Sequence, residues 1–148
     1  MKQDIKERWV AALRSGEYKQ ATGYLSEIVL DDEGNVKEVV GFCCLGVLSE
    51  IAVADGIIEK RPYSGGDSCM VYGPDTDTGM LPSVVREWAG LDSSDPMIVY
   101  THAHDDDCDD DCRYTFDEGE EYDDTLSALN DDKKLNFNQI ADLIEVGL

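Results

Sequence analysis

Apolar positions are densest between Gly41 and Gly56, where GFCCLGVLSEIAVADG sets Cys44, Leu45, Val47, Leu48, Ile51 and Ala52 at three- and four-residue intervals. That spacing predicts a central helix, with Ser49, Glu50 and Asp55 on its polar arc and Gly56 as a left-handed stop. Gly46 removes a side chain one turn in. Another backbone can approach closely there, although glycine inside a helix costs about 1 kcal/mol relative to alanine.

The helical period recurs on either side. Asp4 is the expected N-cap of a first helix running to about Ser15, with Ile5, Trp9, Ala12 and Leu13 inward and Gly16 at its end. Pro82, in the first turn, opens a short helix bearing Val84, Val85 and Trp88 and closed by Gly90. Leu126 and Leu129 begin another. Asn136 and Gln139 then form a capping-box pattern ahead of a stripe of Phe137, Ile140, Ala141, Ile144 and Leu148.

Period-two and β-forming stretches predict the rest. GYLSEIVL and VKEVVGF read as strands joined by the Asp31-Asp32-Glu33-Gly34-Asn35 turn. Ile57 to Tyr72, broken by Pro62 and Ser64-Gly65-Gly66-Asp67, reads as an irregular second hairpin, and Met97 to Tyr100 as one more strand. The expected fold class is α+β: a single compact domain, with three or four short helices and irregular β-hairpins around the central helix. A length of 148 residues suits one core.

No eighteen-residue apolar span occurs, and the MKQDIKERW start is charged and amphipathic, so neither a membrane helix nor a signal peptide is expected. The cysteines number five, two of them adjacent in the central helix, which fits reduced thiols in a cytoplasmic protein better than a disulfide framework.

Charge changes the picture. The net charge is −21, split unevenly: residues 1–74 carry twelve acids against eight bases, and residues 75–148 carry twenty-one against four. Between Asp92 and Asp124 lie fourteen acids and one base, Arg113. Such a run predicts a solvated acidic loop or insertion at about 101–124. A surface this negative repels nucleic acid and anionic membranes, so the complementary partner is a basic protein.

Four pieces, WVAALRSGEYKQ, FCCLGVLSEIAV, LPSVVREWAGL and LSALNDDKKLNFNQIADLIE, occur here in the order in which a family of small tailed-bacteriophage proteins carries similar segments, and the chain resembles that family. The resemblance implies a phage or prophage origin and supplies no catalytic residue. The acidic stretch from His102 to Asp124 lies outside the matched pieces.

Candidate chemistry concentrates in that stretch. His102, His104, Cys108 and Cys112 offer two imidazoles and two thiols, a possible tetrahedral zinc or other divalent-cation set, although with unorthodox spacing. No register of Asp105 to Phe116 gives the glycine and glutamate positions of an EF-hand. The alternative function is therefore a metal-binding protein or small metal-dependent hydrolase using the His102 to Cys112 cluster.

The carboxylates themselves support a second use. Asp105, Asp106, Asp107, Asp109, Asp110 and Asp111, with Asp117, Glu118, Glu120, Glu121, Asp123 and Asp124, form the candidate partner-binding surface. Duplex DNA carries one negative charge per about 1.7 Å of axis, a density an ordered acidic strand can approach. The leading expectation is a non-enzymatic inhibitor whose DNA-mimicking face blocks a basic, nucleic-acid-binding host protein, such as a restriction or other defence enzyme.

Cys43 and Cys44 have no histidine nearby in sequence, and with Trp9 and Trp88 they are expected in the core. Ser64-Gly65-Gly66-Asp67 lacks the lysine and the helix of a phosphate loop.

Overall fold

A computed structural model describes residues 1–74, 77–102, 114–115 and 120–148. Along them run α1 (Gln3–Arg14), β1 (Ser26–Leu30), β2 (Val36–Phe42), α2 (Cys44–Ala54), β3 (Lys60–Pro62), β4 (Met70–Tyr72), α3 (Ser83–Ala89), β5 (Met97–His102), β6 (Tyr114–Thr115), β7 (Glu120–Thr125), α4 (Leu126–Asp131) and α5 (Phe137–Gly147). The strands pair antiparallel as β1–β2, β3–β4 and the three-stranded order β6-β5-β7. This is the expected α+β architecture, with four further helices around α2.

The Cys43 sulfur caps α2, accepting the Gly46 N–H at 3.4 Å, and Gly56 ends the segment at φ +71°. Cys44, Leu45, Val47, Leu48 and Ala52 are inaccessible to solvent. Ser49, expected on the polar arc, is buried too. Its hydroxyl donates to the Leu45 carbonyl at 3.1 Å, so the helix itself satisfies the polar group and the buried face widens past the apolar stripe. Across Gly46 runs the backbone of Leu25: a Cβ there would sit 1.6 Å from the Leu25 carbonyl oxygen.

α1 crosses α2 and α5. Trp9 is fully buried and donates its indole N–H to the Cys44 carbonyl at 3.0 Å, joining the two helices by a hydrogen bond inside the core. Asp4 is not the N-cap. Lys2 takes that position without a side-chain cap, because its own N–H is held by the Ala89 carbonyl (2.9 Å) and the chain turns helical earlier than the sequence suggests. Asp4 instead lies in the first turn, where its charge complements the helix dipole.

α3 opens after Pro82, which occupies the cap position and not the first turn, and closes at Gly90 with φ +69°. Trp88 packs at the margin of the core, half-buried, while Val85 and Ala89 point inward. The capping box of α5 forms as the sequence predicts. Asn136 Oδ1 accepts the Gln139 N–H at 3.0 Å and Gln139 Oε1 accepts the Asn136 N–H at 2.9 Å, which presents Phe137, Ile140 and Ile144 to the core.

Asn130 ties these layers together. Nearly inaccessible, its side-chain oxygen accepts from the Cys44 N–H (3.3 Å) and Gln20 Nε2 (2.9 Å), and its amide donates to the Ala21 carbonyl (2.9 Å). Among the described residues no helix is long and apolar enough to cross a membrane.

Candidate functional site

The acidic segment is not wholly a loop. Its last part, Glu120–Thr125, is strand β7, in register along the whole of β5 from Met97 opposite Thr125 to His102 opposite Glu120. EEYDDT is a poor strand former on composition. Tertiary pairing overrides that, because β5 (MIVYTH) supplies a β-rich partner whose inner face is buried at Ile98 and Tyr100.

Two side-chain contacts lock the pair. The Tyr100 and Tyr122 rings stack across the strands with centroids 6.0 Å apart and planes 24° from parallel. The Tyr100 hydroxyl donates to Asp124 Oδ2 at 2.7 Å, and Lys133 Nζ lies 3.7 Å from the same oxygen. Asp124 is therefore half-buried and compensated. Thr125 ends the strand and caps α4, its hydroxyl accepting the Ala128 N–H at 3.4 Å.

The outer face has another character. Alternation along β7 puts Glu121 and Asp123 opposite Thr101 and Val99, and both acids are exposed. Among the described residues neither takes part in an ion pair. Of the predicted partner-binding residues, the structure thus brings Glu120, Glu121, Asp123 and Asp124 together on one strand. Asp105, Asp106, Asp107, Asp109, Asp110, Asp111, Asp117 and Glu118 lie outside the described residues, as do His104, Cys108 and Cys112 of the proposed metal set. His102 is the last residue of β5.

Cys43 and Cys44 are core residues. Burial pushes the Cys43 thiol up to about 12 and that of Cys44 well above its ordinary range, opposite to what a thiolate nucleophile requires. Cys69 is buried as well, its thiol raised first by burial and then by Asp67.

Sequence reasoning missed one polar cluster in the first half of the chain. The hydroxyl of fully buried Tyr72 lies 2.7 Å from Glu50 Oε1 and 3.0 Å from Ser26 Oγ; with one proton, it donates to the carboxylate. Lys60 Nζ closes on both Glu50 oxygens at 2.7 and 2.6 Å. Burial, and then the Glu50 charge, push the Tyr72 phenol up, so it stays a donor at any ordinary pH. No spacing rule links positions 26, 50, 60 and 72, because the cluster exists only once α2 lies against β1, β3 and β4. Nearby, a groove of about 300 Å³ is lined by Ile57, Ile58, Lys60, Arg61, Gly73 and Val84 among others. Its two cations are committed to Glu50 and, for Arg61, to the Gly73 carbonyl at 2.7 Å.

The chain belongs to a family of domains of unknown function, DUF8296, whose model matches residues 1–148. No curated protein matches the chain, and no solved structure does.

Proposed function

We propose that this chain is a phage-encoded, non-enzymatic inhibitor whose acidic surface occupies the basic nucleic-acid groove of a host protein, such as a defence or restriction enzyme. The observation that carries the proposal is an ordered strand loaded with carboxylates, two of which face outward and lack an ion pair among the described residues. A strand advances about 3.3 Å per residue, so the four acids in the six residues of β7 give roughly one charge per 5 Å, about a third of the density of duplex DNA. Six of the seven residues from 105 to 111 are aspartates, and the reading depends on their charge.

The test is capture of partners from host lysate on the immobilised chain. Affinity should fall steeply between about 50 and 200 mM salt, and duplex DNA should compete for the captured protein. A partner that binds DNA and this chain at once overturns the proposal. So does undiminished capture by a variant with Asp105, Asp106, Asp107, Asp109, Asp110 and Asp111 all changed to asparagine. One equivalent of zinc in the purified chain, lost in His104→Ala or Cys108→Ala, would favour the metal-binding alternative instead.

A further inference from the structure

The same alternation that turns Glu121 and Asp123 outward leaves two aliphatic side chains in the open on β5, Met97 (57% exposed) and Val99 (54% exposed). Their neighbours Ile98 and Tyr100 are buried on the other face, so the exposure follows the pleat and belongs to one side of the ribbon. In register, Val99 lies opposite Asp123 and Met97 opposite Thr125. Cross-strand neighbours have Cβ atoms about 4.5–5.5 Å apart, which puts carboxylate and aliphatic groups within one footprint. The open strip ends at Thr101, which is buried.

Charge mimicry requires only the carboxylates. Exposed aliphatic groups bordered by charged ones are instead the anatomy of a protein interface, with an apolar centre and a polar rim. The exposed acids fix the sign of the partner: positive side chains complement Glu121 and Asp123, and a nucleic acid or anionic membrane is repelled. We infer that the outer face of the β5–β7 ribbon docks a protein segment in which apolar side chains alternate with lysine or arginine. Val99 and Met97 meet the apolar residues, and Glu121 and Asp123 meet the cations. The inference rests on the acidic-surface reading above and gives its partner a specific chemistry.

Two synthetic peptides of equal length and charge test it, one alternating lysine with leucine and the other lysine with serine. Each is titrated by fluorescence anisotropy into the full chain and into the Met97→Ser/Val99→Ser variant. Because both residues are exposed, that variant should melt with the wild type. The wild type should bind the lysine–leucine peptide about tenfold more tightly than the lysine–serine peptide, and the variant should bind both alike. Glu121→Gln/Asp123→Asn should weaken both complexes by the same factor. Equal affinity of the wild type for the two peptides, or a preference that survives in the serine variant, overturns the inference and leaves the acidic-surface reading standing. Absence of salt-sensitive binding to either peptide overturns both.

Discussion

A single missing side chain decides how closely α2 sits against the segment that leads into β1. At Gly46 the Leu25 carbonyl oxygen, a backbone atom that cannot swing aside, occupies the place of a Cβ. Gly46→Ala must therefore push Leu25 and the chain entering β1 off the helix, disturbing the Cys43 N–H that reaches the Leu25 carbonyl at 3.3 Å. Alanine's better helix propensity returns only about 1 kcal/mol. Overpacking of this kind costs about 3 kcal/mol or more, and calorimetry should show a melting temperature lower by roughly 6–12 °C. A melting temperature equal to the wild type's would mean that the contact is not as close as the structure gives it. The sequence announces this glycine as a point of close approach but not what approaches. Ser49 is the converse case: its type suggests solvent, and the Leu45 carbonyl that makes its burial tolerable is supplied by the helix itself.

At the scale of elements, the parts legible in the sequence are those whose signals are local. The α5 capping box, the Gly90 stop and the turn between β1 and β2 each need only a few consecutive residues, and each forms where the sequence puts it. Illegible were the elements whose reason for existing is a distant partner. β7 is one: its composition argues for a loop, and only the register with β5 and the Tyr100–Tyr122 stack make it a strand. The cluster joining α2 to β1, β3 and β4 is another. There Tyr72→Phe removes the hydroxyl that Glu50 and Ser26 share, while Lys60 still neutralises the carboxylate. The expected loss is about 1–2 kcal/mol, whereas Leu48→Ala, which opens a cavity at the centre of α2, should cost about 2–5 kcal/mol. Urea unfolding of the two variants should give that order. The reverse order would shift the weight of this interface from packing to the polar cluster.

For the molecule as a whole, the dominant quantity is a surplus of twenty-one negative charges. Among the described residues, three cations fasten elements together: Arg8 to Asp55 between α1 and the end of α2, Arg14 to Asp142 and Glu145 across α1 and α5, and Lys133 to Asp124 beside the ribbon. These pairs are largely exposed and screened by solvent, so each contributes little to stability. Because they are in direct contact, added salt weakens them less than it weakens repulsion among acids many ångströms apart, which the ~10 Å screening length at 0.1 M suppresses. Repulsion should therefore win, and the melting temperature should rise with sodium chloride. Changing Asp105, Asp106, Asp107, Asp109, Asp110 and Asp111 to asparagine removes part of the same repulsion where acids are densest in the sequence. At low salt the variant should melt above the wild type, and at high salt the two should converge. That convergence would mark the six carboxylates as groups the fold carries at a cost, as a partner-binding surface requires. If the variant instead melts lower at every salt concentration, the aspartates stabilise this chain directly, and the acidic-surface reading loses its premise.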